Sequence, residues 1–556
     1  MHRAPLIAVA LLLSVSASAV AQRPGGTLTD PGSRIDSVFR AFGASSPGCA
    51  VAVSQRGTVV TQKAYGMAHL EHGVPNTPAT IFEAGSVSKQ VVAAAVVLLA
   101  LDGKLSLDDD VRTHLPELPD YGAPITIRHL INHTSGLRDW GSVAALGGWP
   151  RGTRVYSNDL VLHIARHQRA LNYAPGTYWS YTNTGYNLMA LVVGRVSGVP
   201  LAEFTRVRLF EPLGMTQTSW RDDFARVVKG RATGYEPDSS PGVYRLDMPF
   251  DDAYGNGGLL TTVHDLLRWT ANLESGAVGG ARFITEMHRQ GVLTSGRTVE
   301  YAGGLFVTSY RGIPEVSHSG ATAGYRAFLS RYPAQGVAVA VLCNAANASA
   351  TELGHQVADG YLGDALVARA DADSASSPPP ALAPARLAAL AGVYRHARDG
   401  QPVRLVARDG QLRTEGGSAL RPLAAGRFRL GGNVLIFDSV ATGAARAGIR
   451  MLTGDGDTLR YEPVAPFAPT PAQLAEYVGT YESDEADGTF VVSVERDSLL
   501  LRDRYGRAMP AMRPDYADAF GNGRLGIRFV RDDAGRVTAL SARDGRAWDV
   551  RFVRRR

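Results

Sequence analysis

Ser86 stands three residues before Lys89, and an almost wholly apolar run from Gln90 to Leu99 follows at once. That run has no Gly or Pro, holds several Ala and is apolar on every face, which predicts a buried helix. Positions i and i+3 share a helix face, so the Ser86 hydroxyl and the Lys89 amine can meet at the helix start. A hydroxyl becomes a nucleophile when a neighbouring base takes its proton. A lysine becomes a base when burial lowers its pKa from a reference of about 10.4. The apolar helix supplies that burial, and its N-terminus favours developing negative charge. S-x-x-K is short enough to recur by chance. Composition sets this one apart: of 58 basic residues only four are lysine, Lys63, Lys89, Lys104 and Lys229.

Two further segments hold groups that such a site needs. Tyr181-Thr182-Asn183 follows a Pro175-Gly176 turn and precedes a helical pattern that starts at Tyr186. A phenol beside a lysine and a serine can relay the hydroxyl proton where positive charge lowers its pKa from about 10. Taken alone, Tyr181 reads equally as a half-buried aromatic. Tyr156-Ser157-Asn158 is a competitor, and the turn before Tyr181 and the helix after it favour Tyr181. The second segment is His318-Ser319-Gly320-Ala321 at a strand end. Gly320 lets another backbone approach closely, and the Ala321 amide can pair with the Ser86 amide as an oxyanion hole. On its own, His318 reads as an edge-strand histidine. His163 and His167 share a helix face, but no H-E-x-x-H motif accompanies them. No metal or organic cofactor is expected.

The elements that must position these groups follow from pattern. Cys49–Val53 and Gly57–Val60 predict a two-stranded hairpin. The Ser86 helix should close near Gly103, a good C-cap. Residues 104–300 read as helix-rich. One helix is expected from Thr262, whose side chain can cap it with Asp265 three residues on, and another from Tyr186 to Val196. Strands return near Leu305–Val307, Glu315–His318, Ala327–Leu329 and Val337–Leu342. Strands at both ends with helices between predict one antiparallel sheet flanked by helices, an α/β catalytic domain over residues 28–368.

Residues 369–385 are a linker by composition. Beyond it the chain is strand-like and turn-rich, and it repeats: Leu387, Leu390, Gly392 and Tyr394 match Leu474, Tyr477, Gly479 and Tyr481. Two small all-β barrel or sandwich domains are expected, 386–466 and 470–556, with a hinge at Pro463 to Pro471 between them. Nothing in them looks catalytic. They read as a stabilising appendage, or as a cap on the cleft through Arg504-Tyr505-Gly506-Arg507 and Pro514-Asp515-Tyr516.

Composition bounds the rest. Residues 1–21 read as a signal peptide, with Arg3 ahead of an apolar stretch from Leu6 to Val15 and a small-x-small site at Ala19-Val20-Ala21. The expectation is an exported protein, periplasmic or secreted, with no transmembrane segment in the mature chain. The net charge of +6 is interleaved along the chain, with no basic stripe of the kind that binds nucleic acid. Cys49 and Cys343 are the only cysteines, which excludes a cysteine-based zinc site and a disulfide-dense scaffold. In an exported protein such a pair can be bridged.

In this order, S-x-x-K, Y-x-N and H-x-G, the motifs resemble the serine β-lactamase and penicillin-binding-protein superfamily. The flanking text is similar too: Thr126-Ile127-Arg128 through His133-Thr134-Ser135-Gly136-Leu137, and Gly257-Gly258-Leu259 with Thr262 and Asp265. The resemblance covers about residues 35–365. It implies Ser86 as nucleophile, Lys89 and Tyr181 sharing the proton work, and Asn183 orienting lysine and substrate. It also implies His318 and Gly320 on the bordering strand, Ser86 and Ala321 amides as oxyanion hole, and His133 and Ser135 as structural. Penicillin hydrolases carry a lysine where His318 stands, and that lysine helps to bind the drug's carboxylate. H-x-G is the form of D-aminopeptidases and related esterases, and a D-aminopeptidase of this superfamily also carries two small β-barrels after its catalytic domain. The resemblance further makes the strands of Cys49 and Cys343 antiparallel neighbours, which would bring the two cysteines together. The implied activity is hydrolysis through an acyl-enzyme of small D-residue peptides, cell-wall fragments or esters, with a small-molecule or peptide substrate as partner, no nucleic acid, and the oligomeric state left open. β-Lactamase or DD-carboxypeptidase activity is the alternative, and a non-catalytic penicillin- or peptide-binding module the alternative of another class.

Overall fold

The computed structural model describes residues 31–367, 382–424, 426–438, 447–453 and 457–555. The proposed signal peptide and most of the linker lie outside these residues. Six strands form the central sheet: β1 (Cys49–Gln55), β2 (Thr58–Tyr65), β3 (Phe306–Tyr310), β4 (Ile313–Thr322), β5 (Tyr325–Tyr332) and β6 (Val337–Cys343). Their order is β3-β4-β5-β6-β1-β2, antiparallel throughout. The two ends of the catalytic region therefore meet in one sheet, as its pattern predicted. Both faces are covered. Ala50 and Ala52 of β1 face the main helical core, while Cys49, Val51 and Val53 face a second layer with Ile35, Phe39 and Val357. A strand covered on both faces needs an unbroken apolar run, which β1 and β6 supply. Cys49 lies opposite Cys343 in the ladder, Cα to Cα 4.0 Å, and the two form a disulfide.

Helix α1 (Lys89–Leu101) runs through the main core, and every residue from Lys89 to Leu99 is buried. A single 3-10 turn, Gly85–Ser88, leads into it. The Thr262 hydroxyl caps a helix over Val263–Ser275 by accepting the Asp265 N–H. Helix α2 (Trp140–Leu146) is capped by Asp139, and helix α3 (Thr184–Ser197) starts directly after Asn183. Among the described residues no single helix is long and apolar enough to cross a membrane.

The C-terminal region holds two eight-stranded antiparallel sheets with one topology. Counted within each sheet, the strand order is 3-2-1-8-7-6-5-4 in both, so first and last strands pair and the sheet curls towards closure. Each sheet is preceded by a short helix with Pro in its first turn, Pro384–Leu390 and Pro471–Glu476. The repeat seen in the sequence has a structural counterpart. Tyr394 donates to the Leu390 carbonyl and Tyr481 to the Tyr477 carbonyl, both at 2.8 Å. The core of the last sheet takes in Val143 and Leu146 of α2.

Candidate active site

The Ser86 turn is wedged between the edge of β4 and the segment around Gly257-Gly258-Leu259. Leu259 N–H donates to Ser88 Oγ at 3.1 Å, and Ala84 N–H donates to the Leu259 carbonyl at 2.8 Å. The turn fits because two glycines face each other. A methyl on Gly320 would lie 2.0 Å from the Ala84 carbonyl oxygen and 3.0 Å from the Ser86 nitrogen. One on Gly85, at φ +51°, would lie 2.7 Å from the Ala321 nitrogen. The Ser86 and Ala321 amides thus meet at one junction, and β3 ends its pairing with β4 at Ser317, short of it.

Lys89 is fully buried. Its Nζ lies 3.1 Å from Ser86 Oγ, 3.0 Å from Asn183 Oδ1 and 2.6 Å from the Asn256 carbonyl. Burial holds its pKa well below the ordinary lysine value, and the cations Arg546 and Arg151 push the same way, against Asp139. A neutral amine has two N–H groups and one lone pair. The two carbonyl acceptors fit the two N–H groups, which leaves the lone pair for the Ser86 hydroxyl.

Tyr181 lies beside this pair, its ring centre 4.8 Å from Lys89 Nζ. Its hydroxyl is buried without a hydrogen bond of standard geometry, and Ser86 is the group it faces. Burial holds the phenol above its ordinary pKa, outweighing Ser86 and Arg546, which pull it down. The condition set for Tyr181 as a resting base, a lowered pKa, is not met: the structure keeps it a phenol. The competitor Tyr156 is elsewhere, packed on Trp140 with its hydroxyl on the Trp149 carbonyl. Asn183 receives Lys89 on its side chain while its own N–H donates to Asp139 Oδ2 at 2.8 Å. His133 is buried under the Tyr181 ring at 4.2 Å; its carbonyl accepts the Ser180 N–H and its Nδ1 the Thr182 N–H, so it holds the tyrosine loop.

His318 borders the cleft from β4 but is 2% exposed. Nδ1 contacts the Ser319 carbonyl at 2.5 Å and Nε2 contacts the Tyr301 hydroxyl at 3.0 Å. A carbonyl only accepts, so Nδ1 carries the hydrogen and Nε2 accepts from Tyr301. Burial presses its pKa down to about 3. His318 is therefore neutral and fully engaged, not a cation facing solvent. A cavity of about 680 Å³ opens over these groups, lined by Ser86, Tyr181, Phe306, His318, Ala321 and Arg326.

Sequence reasoning missed four participants: the Asn256 carbonyl, Tyr301, Asp139 and Arg546. Of these only Asp139 left a signal, as an acid ahead of an apolar helix. One expectation is corrected. The stretch 504–507 does not cap the cleft: Tyr505 packs on Trp149, ring centres 4.8 Å apart, and Arg507 bonds the Gly148 carbonyl. Pro514 and Asp515 contact Arg404, and Tyr516 contacts the Gly400 carbonyl, both of the middle sheet. Crowding by Trp149 and by that sheet draws these polar-aromatic loops into packing. Among the described residues no group of three or more His, Cys, Asp or Glu is placed to hold a metal.

The beta-lactamase family model matches residues 35–362. The chain belongs to this family of serine hydrolases. A D-aminopeptidase of Gluconobacter oxydans is 28% identical over 299 residues, 54% of this chain and 56% of that protein. A putative penicillin-binding protein PbpX of Bacillus subtilis is 28% identical over 255 residues, 46% of this chain and 61% of that protein. The matches thus span less than two thirds of these relatives. In fold, the octameric penicillin-binding protein homologue from Pyrococcus abyssi aligns with 95% of this chain and 100% of its own, at TM-score 0.54 and 20% identity. The D-amino acid amidase from Ochrobactrum anthropi aligns with 60% of this chain and 98% of its own, at TM-score 0.51 and 21% identity.

Proposed function

We propose that this family member is an exported hydrolase that forms an acyl-enzyme on Ser86 and acts on small amides or peptides with a D-residue, with cell-wall fragments and esters as further substrates. The observation that carries the reading is the Lys89 amine, buried, depressed in pKa and 3.1 Å from Ser86 Oγ. Neutral Lys89 takes the Ser86 proton as Oγ attacks the carbonyl carbon. The oxyanion is met by the Ser86 and Ala321 amides. The Lys89 ammonium then returns the proton to the leaving nitrogen or oxygen, with the Tyr181 phenol as a donor on the same path. Asn183 keeps Lys89 in register. Water attacks the ester and repeats the steps.

His318 supports amide or ester substrates over penicillins. A neutral, internally bonded imidazole offers no cation for a drug carboxylate where penicillin hydrolases have a lysine. Relatives named D-aminopeptidase and a neighbour named D-amino acid amidase support the D-residue class. The Cys49–Cys343 disulfide supports export, since disulfides persist in oxidising compartments. The test is labelling with a fluorophosphonate and mapping of the modified peptide, followed by turnover of D-aminoacyl p-nitroanilides, p-nitrophenyl esters and nitrocefin. Label on Ser86 with D-selective amide turnover is expected. No label on Ser86, or turnover by Ser86→Ala, would overturn the mechanism. Nitrocefin as the best substrate would move the protein to the β-lactamase reading.

A further inference from the structure

Arg546 sits in the turn between the last two strands, Val537–Asp544 and Ala547–Arg554, far along the chain from Ser86. Its backbone carbonyl accepts the Asp139 N–H at 3.2 Å and the Asn172 side-chain N–H at 2.9 Å. Its guanidinium donates to the Tyr181 carbonyl at 3.4 Å, stands 5.4 Å from the centre of the Tyr181 ring and lies 3.9 Å from Asp139 Oδ2. That same carboxylate oxygen accepts the Asn183 N–H. One side chain from the last sheet's final turn therefore touches Tyr181 at one end of the Tyr181–Asn183 loop and reaches Asn183 at the other through Asp139. The turn is itself pinned. Arg138 donates to the Trp548 and Asp549 carbonyls at 2.9 and 2.8 Å and to Glu485 at 2.5 Å.

We propose that Arg546 is a positioning residue of the Ser86 site: it fixes the Tyr181–Asn183 loop from Tyr181 and Asp139 and adds a permanent positive charge to the field at Lys89. The proposal rests on the acyl-enzyme reading above. The charged and titratable groups whose fields reach Lys89 are Asp139, Arg151, Arg546, His133 and His318, and the Tyr181 and Tyr186 rings stand 4.8 and 5.5 Å from its Nζ. Both histidines are held neutral by burial. Asp139 opposes the two arginines. Removing the Arg546 charge therefore makes the Lys89 ammonium easier to form, and the acid limb of acylation should move to higher pH.

The test compares parent, Arg546→Gln and Arg546→Lys in full-length protein. It measures the rate constant of fluorophosphonate labelling from pH 5 to 9, kcat and KM on a D-aminoacyl p-nitroanilide, and thermal unfolding. Arg546→Gln should lower kcat about tenfold with KM nearly unchanged, because the residue acts through the loop and not on substrate. Its acid limb should rise by about half a pH unit or more. Arg546→Lys keeps the charge, so the limb should stay with the parent's while kcat falls by a smaller factor of about three, because a compact ammonium on a flexible stem holds the Tyr181 carbonyl and Asp139 less firmly than the planar guanidinium. A limb that stays put in Arg546→Gln, or that moves equally in both variants, overturns the proposal. So does an unchanged kcat in both. If Arg546→Gln does not fold, Arg546→Lys decides alone: parental kcat overturns the positioning role, and reduced kcat on a parental limb supports it. A parent that is not labelled on Ser86 would sink the acyl-enzyme reading whatever the Arg546 variants do.

Discussion

Lys89 has the three partners that an ammonium would choose and the surroundings that an ammonium avoids. Burial decides between them, since a buried unpaired cation is costly and no carboxylate touches Nζ. Lys89→Ala should therefore lower kcat by about a thousandfold or more, as loss of one member of a catalytic unit does. The neutral amine is the active form, so kcat/KM should rise as pH climbs through the depressed Lys89 pKa and fall below it. A pH–rate profile of the parent checks this, and a rate that falls as pH rises from 5 to 8 would refute it. His318 gives a stability prediction. Its pKa drops from an ordinary 6.5 to about 3 on folding. Between those values the unfolded chain binds a proton that the folded one refuses. Stability should therefore decline as pH falls below about 6.5, by about 1.4 kcal/mol per unit from this group. Urea unfolding at pH 7 and pH 5 measures the slope, and His318→Gln should make it shallower, with the part that buried His133 contributes left in place. At this scale the sequence was legible where chemistry is local: Ser86 and Lys89 are one turn apart, and Tyr181 and Asn183 share a loop. Tyr301 and Asn256 were not legible, because each acts through contacts that only tertiary folding makes.

Glycine pairs set the distance between elements. Gly320 and Gly85 let β4 lie directly against the serine turn, and a single methyl at Gly320 would meet the Ala84 carbonyl at 2.0 Å. Gly320→Ala should push the strand and its Ala321 amide away from Ser86 and cost about a hundredfold in acylation, as misplacement by an ångström does. Circular dichroism should show the fold retained, and labelling kinetics measure the loss. Parental acylation in that variant would mean that the Ala321 amide is no part of the oxyanion hole. The strands and helices themselves were readable. Alternation and apolar runs report burial, and Thr262 with Asp265 marks a cap that the structure shows. The destination of exposed aromatic loops was not readable. The same Arg-Tyr-Gly-Arg composition suits a ligand cleft or a packing contact, and Trp149 makes it the latter.

The last sheet is part of the hydrolase in the mechanical sense. Val143 and Leu146 are buried in its core, and the Arg138–Glu485 ion pair is buried at the junction. Deleting residues 379–556 would expose that core and strand Arg138 without its acid, so the truncated chain should aggregate or lose acylation. A milder test is Glu485→Gln, expected to cost about 3 kcal/mol by leaving a buried arginine unpaired. Chemical denaturation measures it, and a loss below about 1 kcal/mol, within the range of exposed ion pairs, would mark the junction as loose. The repeat and the β content of this region were visible in the sequence. Its grip on the catalytic part was not, since Arg138 and Glu485 are 347 residues apart.

The pairing of β1 with β6 also sets an order in time. Cys49 must wait for Cys343, 294 residues later, before the centre of the sheet can close. Until then the apolar edge of β1 has no partner on that side, and a chain emerging from its N-terminus cannot complete this domain piecemeal. Contacts of such sequence separation slow folding, because loop closure precedes any gain from the contact. The residue that completes the sheet is among the last of the domain to arrive, a delay that would suit the export proposed above, in which a chain is kept unfolded while it is threaded through a membrane.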